Sequence, residues 1–95
     1  LERFNDECAR LFDDPERIVR RIREDVAPKV AADPAYQNAR ANTPQTARLE
    51  HERALSQVMI GMLKDDVDLY KQFANNPSFK RAVSEAVLGL IGGGG

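Results

Sequence analysis

Few residues of this chain have side chains that could do acid–base or metal chemistry, and the single histidine is the clearest of them. His51 lies between Glu50 and Glu52 in the run LEHER. On a helix, a second metal ligand or a partner for proton transfer would stand three or four residues away, on the same face. Those positions hold alanine, arginine and leucine: Ala47, Arg48, Ala54 and Leu55. The sequence therefore predicts a structural or interface histidine and no metal site.

The single cysteine, Cys8, is the only candidate for a thiol nucleophile. It could act only with a base brought to it by the fold, and His51 is the sole histidine. Cys8 lies on an apolar stripe between Phe4 and Leu11, which indicates a small core residue instead. The sequence also lacks a glycine-rich phosphate loop and the carboxylate and lysine spacing of a nuclease core. We therefore predict no catalytic, cofactor-binding or metal-binding residues in this chain.

The densest cluster of positive charge is the run IVRRIRED, which contains Arg20, Arg21 and Arg23. Such a cluster could contact phosphate groups or an acidic protein surface. It could equally be a solvated helix face, because Glu16 and Asp25 stand four residues from Arg20 and Arg21 and would neutralise them. The net charge of −1 is not the strongly basic balance of an autonomous DNA-binding domain. Both interpretations of the cluster stay open at the level of sequence.

The elements that position these residues are marked by proline. Four of the five prolines follow Asp, Thr or Asn, which cap helix N-termini, and proline fits the first helical turn because its missing N–H is not needed there. These pairs are Asp14-Pro15, Asp33-Pro34, Thr43-Pro44 and Asn76-Pro77. They predict four helix starts, and the acidic pair Asp65-Asp66 predicts a further one.

Apolar residues at three- and four-residue spacing predict six helices, at 1–12, 15–26, 34–41, 44–64, 67–75 and 77–91. The second is expected to end at Val26, because Pro28 cannot donate to the preceding turn. No segment shows the alternating pattern of a strand. We therefore predict an all-α fold, a compact bundle of five or six helices with a long central helix over 44–64.

Size and composition fit one domain over residues 1–91. Of the 95 residues, 42% are hydrophobic and 31% are charged, a globular balance that allows a modest core. Gly92 to Gly95 are expected to form a disordered or expression-derived tail, and the start at Leu1 leads us to expect a module of a longer subunit. No apolar run approaches the ~20 residues that span a bilayer. A single cysteine fits a reducing compartment, so the predicted location is cytoplasmic.

Two runs of the chain resemble the extreme C-terminus of the restriction and motor subunit (the R subunit) of type I restriction-modification enzymes. They are IREDVAPKVAADPAYQ and NARANTPQTARLEHERALSQVMIGMLKDDVDLYKQFANNPSFKRAVSEAVLGLI. Within them, ARLEHERAL, the acidic turn before DLYKQF, and NNPSFKR are similar to the closing helices of that family. The resemblance covers residues 21–90. The ending AVLGLIGGGG departs from it, because the family tends to have bulkier residues there.

The resemblance implies a role in a large DNA-cutting assembly. The parent subunit would be an ATP-dependent type I site-specific deoxyribonuclease, whose nuclease and motor domains use ATP and magnesium. The helical C-terminus would dock the motor onto the methyltransferase subunits and meet DNA only through the whole complex. This chain would then be a non-catalytic interaction module without a cofactor or a membrane partner. The contacts expected from exposed polar positions are Arg20, Arg21, Arg23, Lys71, Lys80 and Arg81.

Two other classes of function stay open. One is a helical module that binds the DNA backbone beside the motor, with an affinity that falls steeply with salt. The other is a self-associating structural domain, in which a second copy completes the alanine-rich segment 29–42.

Overall fold

The helix starts predicted from proline are confirmed. The computed structural model describes residues 2–93, and every regular element within that range is helical. The α-helices are α1 (Glu2–Leu11), α2 (Pro15–Arg21), α3 (Ala27–Ala31), α4 (Pro34–Arg40), α5 (Pro44–Gly61), α6 (Val67–Asn75) and α7 (Pro77–Leu88). Two π-helical segments, Ile22–Val26 and Gly89–Gly93, continue α2 and α7. Because the first of them joins α2 to α3 in one continuous helix, residues 2–93 form six helices, and the predicted all-α fold is confirmed.

Side-chain caps explain why the helices begin where they do. Asp14, Asp33, Thr43, Asp66 and Asn76 each precede a helix, and each accepts a hydrogen bond from the backbone amide three residues later. Each bond satisfies an N-terminal amide that no helical carbonyl can reach, which contributes about 1 kcal/mol. Local sequence therefore specifies the starts of these five helices.

The second predicted helix does not end at Val26, so this prediction was wrong. Pro28 has no N–H to donate to the Glu24 carbonyl, and its ring would crowd that carbonyl in a regular α-helix. The chain instead widens, because the N–H of Ala27 donates to the carbonyl of Ile22, five residues back. This wider turn is a π-bulge, and it lets the helix pass the proline and continue through α3.

The longest helix, α5, is slightly shorter than the sequence predicts. It ends at Gly61 rather than Lys64, because the amides of Leu63 and Asp65 donate to carbonyls only three residues back, at 3.1 and 3.0 Å, which tightens the chain into a turn. Leu63, which falls inside the predicted helix 44–64, therefore lies in the turn and is 40% exposed.

The C-terminal α-helix also ends early. α7 stops at Leu88 rather than Ile91, and Gly89, a weak helix former, opens the second π-helical segment. Residues 92–93 belong to that segment, whereas residues 94–95 lie outside the described part of the chain. The disordered tail expected over 92–95 therefore stays a prediction.

The core is densest around α7. Its buried residues are Phe79, Ala82, Val83, Ala86 and Val87. The ring of Phe79 lies against Phe4 of α1 and against Phe12, with centroid separations of 6.1 and 5.5 Å. Met59 and Leu55 add the long helix α5 to the same cluster. The long helix α5 and the last helix α7 therefore share one core.

One arginine ties the alanine-rich helix α4 to α5. Nη2 of Arg53 donates to Oδ1 of Asp33, the N-cap of α4, and Nε of Arg53 donates to Glu50 at 2.7 Å. Tyr36 is the one large side chain that α4 buries, at 4% exposure. These contacts hold a helix that buries little else against the bundle.

We expect Arg53→Met to loosen α4 while the bundle stays folded. Methionine keeps much of the apolar stem but removes the contacts of Arg53 to Asp33 and Glu50, which hold α4 against α5. Hydrogen exchange should become faster at the amides of α4 and stay unchanged in α7. Arg48→Met, at an exposed position of the same helix, is the matched control. Equal loss of protection in α4 and α7 would show that Arg53 has no special role in holding α4.

Candidate groove between helices α5 and α7

A groove of about 560 Å³ runs between α5 and α7. It exists because α5 packs mainly on α4, whereas α7 packs mainly on α1 and α6. One wall is formed by residues of α5: Leu49, Glu52, Arg53, Leu55 and Ser56. The other is formed by α7 together with one residue of α6: Phe73, Pro77, Lys80, Arg81, Ser84 and Glu85. The groove has the size of a site for a small molecule or for a few side chains of a partner.

A buried polar pair joins the two walls. His51 of α5 is fully buried, and its Nε2 atom lies 3.3 Å from Oγ of Ser84 on α7. The imidazole also contacts the ring of Tyr36, with centroids 5.7 Å apart. Nδ1 of His51 is buried without a hydrogen-bond partner among the described residues. The structure therefore places the histidine in the core, behind the groove, as a link between α5 and α7.

The His51 and Ser84 pair has the elements of a nucleophile and base, but its surroundings do not support that chemistry. A catalytic imidazole is oriented by an acceptor on its other nitrogen, and Nδ1 has none here. Ser84 lies inside α7, where backbone amides are engaged in the helix and cannot form an oxyanion hole. Within residues 2–93, no group of three or more His, Cys, Asp or Glu side chains is placed to hold a metal ion.

Burial also makes the one thiol unreactive. Cys8 is fully buried, and desolvation, with a smaller effect of Glu7, raises the pKa of its thiol to about 12. A thiol with that pKa is protonated near neutral pH, whereas the thiolate is the nucleophilic form. Cys8 accordingly fits the core role that its sequence position indicates.

The charges of the groove differ between its walls. On α5, Arg53 is occupied by Asp33 and Glu50. On α7, neither Lys80 nor Arg81 pairs with a carboxylate in the described part of the chain. The ammonium of Lys80 lies 5.5 Å from the centre of the Phe73 ring, a weak cation–π contact at such an exposed position. The α7 wall therefore carries two cations without a carboxylate partner, beside apolar side chains and beside Glu85, which is paired with Arg3 at 3.4 Å.

The six predicted contact residues do not form one surface. Lys80 and Arg81 line the groove, whereas Lys71 is exposed on α6 outside it. Arg20 and Arg23 lie in a separate depression beside α1. Arg21 is half-buried and faces two carboxylates.

Acidic neighbours reduce the charge of the arginine cluster. The depression that contains Arg20 and Arg23 is also lined by Glu16 and Glu24. Arg21 pairs with Asp25 at 3.2 Å and with Asp65 at 3.8 Å. The Asp25 pair has the i,i+4 spacing that the sequence indicates, so Arg21 at least is not free to bind phosphate.

Sequence reasoning missed several groove residues. Leu49 is the most informative, because it is 67% exposed although it is a large apolar residue of α5. Leu49 lies off the helix face that carries the buried residues His51, Leu55 and Met59. A large apolar residue outside that spacing could have predicted an exposed leucine. The pairing of Ser84 with His51 had no sequence signal, because the two residues are 33 positions apart.

The buried histidine makes stability depend on pH. Burial lowers the pKa of His51, outweighing the opposing effects of Ser84 and Glu52. The unfolded chain, with a histidine pKa of about 6.5, therefore binds a proton that the native state does not. Acidification from pH 7.5 to 5.5 should lower the free energy of unfolding, by at most about 1.4 kcal/mol per pH unit.

Urea unfolding of wild type and His51→Gln at pH 7.5, 6.5 and 5.5 measures this effect. The variant should be less stable at pH 7.5 but should lose less stability on acidification. Asp33 does not interfere, because the amide of Tyr36 and the guanidinium of Arg53 lower its pKa and its contribution is lost only at more acidic pH. Parallel slopes for the two proteins would rule out His51 as the source of the pH dependence.

Comparison of the chain with protein-family models, with curated proteins and with solved structures finds no match. Among the described residues, no helix combines the length and the apolar character needed to cross a membrane.

Proposed function

We propose that this chain is a non-catalytic interaction module at the C-terminus of a type I restriction enzyme R subunit. In this role it docks the ATP-dependent DNA translocase and endonuclease onto the methyltransferase core. The observation that supports the proposal most directly is the groove between α5 and α7. It presents the exposed Leu49 beside the cationic positions Lys80 and Arg81, and all its residues lie within 49–85, inside the stretch that resembles the R subunit.

The proposal assigns the remaining activities to other parts of the assembly. ATP and magnesium belong to the motor and nuclease domains of the parent subunit, and DNA is reached through the complex. The cytoplasm, where such an assembly meets incoming DNA, is the proposed location. The docking surface is the only functional element assigned to this chain.

The structure gives less support to a module that binds the DNA backbone. The arginine cluster of Arg20, Arg21 and Arg23 is interleaved with Glu16 and Glu24, and Arg21 pairs with Asp25 and Asp65. Backbone binding would instead favour several exposed cations free of such pairing. Direct DNA binding is therefore the result that would contradict the docking proposal, and self-association is tested by light scattering below.

The test measures two affinities of the intact chain. The immobilised protein is exposed to the cognate methyltransferase complex, and the same protein is titrated with labelled duplex DNA at about 50 and 200 mM salt. Retention of the methyltransferase, with little DNA binding at either salt, is the expected result. Salt-sensitive DNA binding without methyltransferase capture would overturn the docking proposal in favour of the backbone-binding module.

A further inference from the structure

Apolar side chains give the α5–α7 groove a place for a partner's apolar side chain. Leu55 and Phe73 form its floor, at 2% and 5% exposure, and Pro77 lines one wall. Leu49 is 67% exposed at its edge, with no part of the described chain covering it. Covering so exposed a leucine lowers the free energy of the complex, because its apolar surface is removed from water.

The length of the groove matches a short helix. Its wall on α5 runs from Leu49 to Ser56, a rise of about 10 Å at 1.5 Å per residue. That distance is close to two helical turns, so a docked helix would present apolar side chains at i, i+3 or i+4, and i+7.

The charges of the two walls indicate how a docked helix would be oriented in the groove. Lys80 and Arg81 on the α7 wall have no carboxylate partner among residues 2–93. The one carboxylate on that wall, Glu85, is paired with Arg3 of α1 at 3.4 Å. On the α5 wall, Arg53 is already held by two carboxylates, and Glu52 is exposed. A bound helix would therefore be complementary if its flank towards α7 carried Asp or Glu.

We propose that the groove binds an amphipathic helix of two to three turns from the methyltransferase core. Its apolar face covers Leu49, and its acidic flank pairs with Lys80 and Arg81. This inference rests on the proposed docking function and specifies the site and the chemistry of the partner.

Four variants of exposed positions separate the groove from the rest of the surface. Leu49→Asp and the double variant Lys80→Glu/Arg81→Glu alter the groove. Ile60→Asp is the matched control for the first, because Ile60 is 56% exposed on the same helix and does not line the groove. Lys71→Glu is the control for charge, at an exposed position of α6. Thermal melts of all four proteins verify that each is folded before binding is measured.

The measurement is the affinity of each intact variant for the purified methyltransferase complex. Leu49→Asp and the double charge reversal should each weaken binding about ten-fold or more, and the controls should stay within about two-fold of wild type. If wild type does not bind the complex at all, the proposed function itself fails. If wild type binds and Leu49→Asp binds equally well, docking survives but the groove is not its site.

Two further outcomes concern the partner. If Leu49→Asp weakens binding and the charge reversal does not, the partner helix does not pair an acidic flank with Lys80 and Arg81, and that part of the inference is overturned. If wild type is a dimer by light scattering and Leu49→Asp is a monomer, a second copy of the chain fills the groove, and the inference is overturned.

Discussion

Phe79→Ala is expected to destabilise this domain more than any other substitution proposed for it. The Phe79 side chain is fully buried in α7, with its ring against Phe4 and Phe12. Truncation of such a ring costs about 3–5 kcal/mol, because the surrounding side chains can fill the cavity only in part. A domain of this size has a free energy of unfolding of only about 5–14 kcal/mol. The three-ring cluster also packs the first helix against the last.

Chemical unfolding followed by circular dichroism measures this loss. In thermal melts of the same proteins, the midpoint should fall by about 12–40 °C, since about 1 kcal/mol corresponds to 4–8 °C in a domain of this length. Ile60→Ala, at a 56% exposed position, should change the free energy of unfolding by no more than about 0.5 kcal/mol. A loss below about 1 kcal/mol for Phe79→Ala would mean that the ring cluster is not part of the cooperative core.

Asp66→Ala is expected to have the next largest effect, because one carboxylate makes two different contacts. Oδ1 accepts from the amide of Leu69 at 3.3 Å and caps α6, while Oδ2 accepts from Nη1 of Arg17 on α2. The Asp66 side chain is only 5% exposed. Loss of the cap costs about 1 kcal/mol, and loss of the charged hydrogen bond adds about 1–2 kcal/mol. We expect a total of about 2–3 kcal/mol.

Two companion variants separate these contributions. Asp66→Asn keeps an oxygen that can cap α6 and removes the negative charge, so it should lose less than Asp66→Ala. Arg17→Met leaves the buried carboxylate without its cation and should also destabilise, because a buried charge without a partner is unfavourable. Equal losses for Asn and Ala would show that the cap contributes nothing measurable and that the ion pair alone connects α2 and α6.

Local chemistry explains which parts of the fold were predictable. Five helix starts follow from capping residues, because a cap and its amide are only three positions apart in sequence. Helix ends were less predictable, because no capping residue at the C-terminus marks them as clearly as an N-cap marks a helix start. Pro28 was expected to end a helix, and the structure shows that a wider turn accommodates it instead.

The groove was less predictable than the helices. It depends on which helices pack closely and which stand apart, and that choice is made by side chains far apart in sequence. The chain places Lys80 and Arg81 in the groove but leaves Arg20 and Arg23 in a separate depression. Exposure of a charged residue on a helix is predictable from periodicity, whereas its grouping with other charges is a tertiary property.

The π-bulge after α2 has a consequence for the phase of the apolar side chains. Ile18, Ile22, Val26 and Val30 recur every fourth residue, and all four are fully buried. In an α-helix of 3.6 residues per turn, each such step advances by about 40°, so the last residue would be about 120° away from the first. A π-turn holds more residues and rotates the chain back, which keeps all four on one side. When apolar residues recur at every fourth position on both sides of a proline, the pattern thus indicates a helix that continues past the proline through a wider turn instead of ending there.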